Sequence, residues 1–263
     1  MVKAIEKDLN DLLQFLSKEK IFNIFFIGDI ELEGISSENL DIYLRKENDT
    51  INGALLRYYN SYIIYDISEN LTEKEIKNYL KHINFSNNIQ ISGIKRVISQ
   101  LLNYIDLTKF NYREMYFSKY FENNFNIDIN LEIKYLNLNE IDKYLEFRNQ
   151  ITEFEMPINP DSLKNELKNN KKRVTYIEKN GKIIASASTT AETKDLALIV
   201  GVATLKEERK NGYASKCVKQ LCDDLIKEEK EIALFYDNPK AGSIYKKIGF
   251  KEIGMWSLLI KNS

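Results

Sequence analysis

Between residues 4 and 18 the apolar positions Ile5, Leu9, Leu12, Leu13 and Leu16 fall on one face at helical spacing. The next apolar run, IFNIFFIGDIEL, predicts a second helix or a turn-rich packing element. The pattern then changes. DIYLRKE, ALLRYY and YIIYDIS read as strands, punctuated by Asn52-Gly53 and Asn60-Ser61. Asn-Gly between apolar-rich runs is a hairpin signal. LTEKEIKNYLKHI predicts a helix with Thr72 as N-cap and Glu75 completing a capping box. A strand over NIQISGI, a helix over IKRVISQLLNYI and a strand over YREMYFSKYF close the first half.

The polar, Asn-rich stretch ENNFNID at 122–128 marks a domain boundary, giving domains 1–125 and 126–263. The second half opens on a strand, DINLEIKYL, and a helix over NEIDKYLEFRNQI. EFEMPINP is a Pro-punctuated loop, after which Asn159 as N-cap and Pro160 in the first turn start a helix over DSLKNELKNN. RVTYIEK and KIIASASTTAET flank a second hairpin signal, Asn180-Gly181. LALIVGVAT is apolar nearly throughout, as a strand covered on both faces would be. The helix after it places Ala214, Cys217, Val218, Leu221, Cys222 and Leu225 on one stripe. EIALFYD is a strand, PKAGSIYKKIG a helix ending at a C′ glycine, Gly249, and FKEIGMWSLLI a final strand or hairpin.

The chain is therefore expected to be mixed α/β, with the two halves repeating one order of elements and no clear residue-level repeat. After the opening strand of the second half, each reads helix, helix, strand, Asn-Gly, strand, strand, helix, strand, helix, strand.

Composition narrows the function. The 263 residues are 43% hydrophobic and 29% charged, with a net charge of -1, so neither a nucleic-acid surface nor a polybasic membrane face is expected. No apolar run approaches the ~20 residues of a membrane span, and the amphipathic N-terminus is no signal peptide. Cys217 and Cys222 lie five positions apart, at opposite edges of one helical stripe, and read as unpaired thiols of a reducing, cytoplasmic protein. A single histidine, His82, excludes a His-rich metal site, and no metal is expected.

The candidate chemistry lies at VATLKEERKNGYAS, residues 202–215, where a strand turns through Arg209-Lys210-Asn211-Gly212-Tyr213-Ala214 into a helix. Gly at such a turn lets backbone approach a ligand, and the first N–H groups of the helix suit a phosphate. A plain basic turn would read the same way. The corresponding stretch of the first half, SENLTEKE, has no Gly and is surrounded by Glu69, Glu73 and Glu75, which would repel phosphate.

Together with LFYDNPKAGSIYKKIGF, in which Asn238 precedes Tyr245 by seven residues and Gly249-Phe250 follow, this stretch resembles the GNAT superfamily of acyl-CoA-dependent N-acetyltransferases. The likeness covers about residues 130–260. Leu205 stands where the family often has Pro, and Ala214 is an allowed variant of the last Gly. The resemblance implies a GNAT fold in the C-terminal half and a degenerate, motif-less copy in the N-terminal half, a tandem arrangement. It implies that the backbone of Val202, Ala203 and Thr204 pairs with the pantetheine arm of acetyl-CoA. Backbone N–H groups of Lys210, Asn211, Gly212, Tyr213, Ala214 and Ser215 would hold the pyrophosphate, and Arg209 would shape the loop. Asn238 would bond the pantetheine or acetyl end, and Tyr245 would protonate the leaving thiolate.

Other roles stay open for these residues. Tyr245 could simply pack, and Asn238 is also an N-cap candidate beside Pro239. Glu192, at a strand end, is a candidate base acting through water or a solvated glutamate. Glu153 and Glu155 could attract a cationic amine or be ordinary surface acids. The expected activity is transfer of an acetyl group to a primary amine of a small molecule or peptide, with a non-catalytic acyl-CoA-binding module as the alternative. A homodimer is compatible with the sequence.

Overall fold

The computed structural model describes residues 1–85, 88–122, 130–154 and 157–261. The expected boundary stretch lies almost wholly outside these residues, as does Glu155. The strands are β1 (Val2–Lys3), β2 (Leu40–Glu47), β3 (Thr50–Tyr58), β4 (Ser61–Asp66), β5 (Gln90–Ile94), β6 (Phe110–Tyr120), β7 (Ile133–Tyr135), β8 (Val174–Lys179), β9 (Lys182–Thr190), β10 (Leu196–Thr204), β11 (Glu231–Tyr236) and β12 (Phe250–Lys261). The helices are α1 (Leu9–Ser17), α2 (Ile24–Glu33), α3 (Glu73–Leu80), α4 (Lys95–Leu101), α5 (Ile141–Asn149), α6 (Pro160–Lys168), α7 (Tyr213–Lys227) and α8 (Pro239–Ile248). The fold is mixed α/β, as the alternating pattern predicts.

Two compact units are present, one of residues 1–117 with 253–263 and the other of residues 118–252. Residues 253–263 count with the first unit because β12 pairs antiparallel with β5, from Trp256↔Ile94 to Ile260↔Gln90. Sequence alone gave no reason to separate them from the preceding residues.

In the first unit β1, β2, β3 and β4 form an antiparallel meander, and β5 then lies parallel to β4 across the α3 crossover. Ile76 and Tyr79 of α3 and Val97, Ile98 and Leu101 of α4 bury their side chains with Leu55, Ile64, Ile91 and Leu259. The α3 capping box forms as expected, with Thr72 Oγ1 accepting from Glu75 N–H at 3.3 Å and Glu75 Oε2 accepting from Thr72 N–H at 2.8 Å. One turn prediction fails. The β2–β3 hairpin turns at Asn48-Asp49, both with positive φ, while Asn52-Gly53 lies inside β3. Gly53 is needed for another reason: a Cβ there would stand 1.9 Å from Tyr79 Oη and 2.1 Å from Asp66 Oδ2.

The second unit repeats the plan. β7, β8, β9 and β10 are an antiparallel meander, and β11 lies parallel to β10 across α7. Here Asn-Gly does form the hairpin: Asn180 and Gly181 have φ of 51° and 78°, and Lys179 pairs with Lys182. Asn159 caps α6 through Asp161 and Ser162 N–H, with Pro160 in the first turn. α7 lays Cys217, Val218, Leu221, Cys222 and Leu225 into the core with no exposure. The Val and Leu side chains among them each contribute about 1.5–3 kcal/mol. Both cysteines are free and buried. Among the described residues no helix is long and apolar enough to cross a membrane.

The order of elements is the same in both halves, from β1 α1 α2 β2 β3 β4 α3 β5 α4 β6 to β7 α5 α6 β8 β9 β10 α7 β11 α8 β12. The short β1 supplies the opening strand that the sequence showed only for the second half.

Candidate functional site

The site starts from a defect in β10. Its pairing with β9 runs Leu198↔Thr190, Ile199↔Thr189 and Val200↔Ser188, then shifts before Ala203↔Ser186 and Thr204↔Ala185. At the shift Gly201 has a φ of +62°, a conformation that L side chains rarely adopt. The other edge of β10 matches β11 in parallel only from Leu196↔Glu231 to Ile199↔Leu234. Beyond Ile199, residues Val200–Thr204 have no β11 partner in the register. A strand edge with free N–H and C=O groups accepts an extended ligand as it would accept another strand. Val202, Ala203 and Thr204 lie on this edge.

The chain leaves β10 through buried Leu205 and a short turn at 206–208, and enters α7 through residues 209–212. Lys210 and Gly212 both take positive φ, 71° and 77°. Gly212 is the α7 N-cap, and among the described residues no side-chain cap bond is made there. The first bond of α7 runs from Lys216 N–H to Gly212 C=O at 3.0 Å. The N–H groups of Tyr213, Ala214 and Ser215 thus have no acceptor one turn back, and they project from the positive end of the helix. Arg209 is tied into the loop: its Nε donates to Thr204 C=O at 3.2 Å and its Nη2 pairs with Glu153 at 2.7 Å. Asn211 Nδ2 donates to Glu208 C=O at 3.1 Å. Arg209 therefore shapes the turn, and Glu153 is engaged by it.

Strand β11, which lies next to β10, delivers α8. Asn238 is its N-cap and accepts from Lys240 N–H at 2.9 Å, so the capping reading holds. Gly242 lets α8 press onto β11, since a Cβ there would stand 2.3 Å from the Tyr236 ring. Tyr245 is half-buried, its ring 5.7 Å from that of Tyr236 and 6.1 Å from that of Phe250. Burial pushes its phenol up to about 12. It therefore holds its proton through neutral and mildly alkaline pH, as a proton donor must.

Glu192 is not brought to this group. It precedes β10, whereas the helix turn follows it, and the 9-residue strand between them spans roughly 26–30 Å. Its carboxylate, 3% exposed, is held by Arg173 at 2.6 Å, Lys230 at 2.9 Å and Thr189 Oγ1 at 3.0 Å. These partners occupy both oxygens, and Glu192 ties β9 to the start of β11 instead of facing the cleft.

A cluster that the sequence reading missed lies against the Gly201 defect. α5 presents buried Tyr144 and half-buried Arg148 towards β9 and β10. Arg148 Nη1 lies 3.2 Å from where a Gly201 Cβ would be, and Ser188 Oγ lies 2.8 Å from it. A glycine inside an apolar strand is a sign of a bulge or close approach, and Gly201 could have been read so. Nothing local marks Arg148.

Residues 139–250 match the acetyltransferase (GNAT) family, a span that contains β10, the α7 turn, Asn238 and Tyr245. Over these residues the chain is similar to that family. Solved structures with the same fold reach over the whole chain. A Drosophila protein is 10% identical, with 99% of this chain and 97% of that chain covered and a TM-score of 0.71. A GNAT-family acetyltransferase from Colwellia psychrerythraea is 12% identical, with 100% of both chains covered and a TM-score of 0.57. A GCN5-related N-acetyltransferase-like protein from Streptococcus suis is 15% identical, covering 87% of this chain and 90% of its own, with a TM-score of 0.54. No curated protein matches the sequence. At these identities the likeness speaks for the fold. The matched segment has its glycine turn at the end of β10 and its tyrosine on α8, in the order in which the sequence motifs place them.

Proposed function

We propose that the protein is an acetyl-CoA-dependent N-acetyltransferase acting on a primary amine of a small molecule or peptide, without a metal. The observation that carries this is the stretch of β10 beyond Ile199, which has lost its β11 partner and leads through the turn at 205–212 to the N-terminus of α7. An acyl-CoA has the matching parts in the same order: an amide-bearing arm for a strand edge and a pyrophosphate for helix N–H groups.

In this reading Val202, Ala203 and Thr204 hold the pantetheine amides through their backbone. The N–H groups from Lys210 to Ser215 take the pyrophosphate. Arg209, fixed by Thr204 and Glu153, keeps the turn in shape. Asn238 caps α8 and can offer its amide N–H₂ group to the pantetheine end. The amine nitrogen bonds to the thioester carbonyl carbon, the C–S bond breaks, Tyr245 gives its proton to the departing sulfur, and the surplus proton on the new amide nitrogen passes to water, from which the Tyr245 phenolate regains its own. Alignment of the two reactants is the main contribution required. Glu192 takes no part.

We further infer that the two halves are copies of one fold, in domains of about 1–125 and 126–263, and that only the second kept the anion turn. At the equivalent place in the first half, Glu75 is used to cap α3 and to pair with Arg45 at 2.9 Å. The two buried free thiols suit the cytoplasm.

Thiol release on mixing acetyl-CoA with a panel of primary amines tests the activity. Release that depends on the amine supports it. Tight binding of acetyl-CoA with no release across the panel favours the non-catalytic acyl-CoA-binding module, and no binding overturns the reading.

A further inference from the structure

We propose that the polar cluster where α5 meets the Gly201 defect of β10 binds a carboxylate, so that the acceptor is an amine carrying a carboxylate only a few bonds away. The placement of the acyl group rests on the acyl-transfer reading above; the carboxylate site itself does not.

The cluster has a surplus of hydrogen-bond donors. Arg148 has no carboxylate partner among the described residues, while its guanidinium carbon sits over the Phe154 ring, 3.7 Å from the centroid. Tyr144 is fully buried, and its hydroxyl makes no hydrogen bond of normal geometry among the described residues. That hydroxyl lies close enough to Arg148, Ser186 and Ser188 to interact with them. Two nearby backbone carbonyls already accept from serines. Ser186 Oγ donates to Gly201 C=O at 3.4 Å, and Ser188 Oγ donates to Val200 C=O at 3.1 Å. A half-buried cation and a buried, unsatisfied O–H beside it leave a site that is unfavourable until an anionic acceptor enters. The planar guanidinium fork matches a carboxylate, with the tyrosine hydroxyl as a further donor.

The position also says how far the carboxylate lies from the reacting amine. Arg148 Nη1 stands at the backbone of Gly201, which adjoins the Val202–Thr204 edge assigned to the pantetheine arm. With the pyrophosphate at the α7 turn, the acyl end of the arm falls on the Gly201 side in this reading, so a carboxylate held by Arg148 would sit close to the reacting amine. The expected substrates are amino acids and comparable small amino-carboxylates.

The test uses the full chain and two sets of probes: amino acids, including β-alanine and 4-aminobutyrate, as free acids and as the corresponding amides. Binding is followed by calorimetry, turnover by thiol release. For the wild type the acids should be preferred on the order of 10- to 100-fold, the size expected for a charge-assisted pair. Arg148→Gln should bring the ratio close to one while leaving affinity for acetyl-CoA unchanged, and Arg148→Lys should restore part of it. Should Arg148→Gln fail to fold, Tyr144→Phe, which removes only an unpartnered hydroxyl, should still lower the preference. Acids that bind no better than their amides overturn the proposal, as does an equal loss for both probe sets in Arg148→Gln. Acid binding that disappears in Arg148→Gln, with no thiol release from any amine, upholds the carboxylate site and overturns the acyl-transfer reading.

Discussion

Replacing Tyr245 with phenylalanine separates catalysis from packing. The ring lies 5.7 Å from Tyr236 and 6.1 Å from Phe250, and phenylalanine keeps both contacts. The hydroxyl has no hydrogen-bond partner among the described residues, so its loss breaks no bond in the folded protein. The stability change should therefore stay below about 1 kcal/mol. If the hydroxyl protonates the leaving sulfur, its removal should lower kcat by about 10²- to 10⁴-fold. That corresponds to ~2.7–5.4 kcal/mol in the barrier. The assay is thiol release at saturating acetyl-CoA, with calorimetry for acetyl-CoA affinity and thermal melting for the fold. The wild type adds a check, because burial holds the phenol at about 12. Deprotonation of Tyr245 should cause no fall in rate up to about pH 10. A variant with intact affinity and melting temperature and with kcat within about threefold of wild type would refute the assignment, leaving Tyr245 as a packing residue.

Gly212→Val puts a β-branched residue at φ +77°, straining the α7 N-cap by about 1–3 kcal/mol and placing a side chain in the turn. Acetyl-CoA affinity measured by calorimetry should fall at least ~10-fold, beyond what the drop in melting temperature accounts for. Asp66 is fully buried and accepts from Arg45 Nε and Nη2, both at 2.7 Å, and from Tyr79 Oη at 2.5 Å. Asp66→Asn strips the charge from this pair and should destabilise the protein by about 3–5 kcal/mol in urea unfolding; a loss below about 1 kcal/mol would show the network to be dispensable. Burial, with Glu33 nearby, raises Asp29 to about 7, far above its ordinary value of 3.8. A raised carboxyl favours the folded state while protonated, so stability is fully present below about pH 4 and declines as pH rises through 7. Over that interval it should amount to a loss on the order of 3–4 kcal/mol, which Asp29→Asn should abolish.

What could be read from the sequence was whatever is decided within a few residues. Thr72 with Glu75, Asn159 with Pro160, and Asn180-Gly181 each carry their own geometry, and each forms as expected. Asn52-Gly53 has the same letters as a hairpin turn but a different cause. Gly53 is there because Asp66 and Tyr79, 13 and 26 positions further along, need the space. The same distinction runs through the candidate site. Its glycine turn is a local strand-to-helix signal and was visible as such. Its acceptor side is not local, because Arg148 on α5 meets β10 only where Gly201 opens the β9 register. Glu192 shows the limit most plainly. A strand end beside a cleft is a sound place to look for a base, but a strand has two ends. Only the parallel register of β10 with β11 fixes which end opens. The pairing holds from Leu196 to Ile199, and so the cleft lies on the Thr204 side, with Glu192 at the closed end among Arg173 and Lys230.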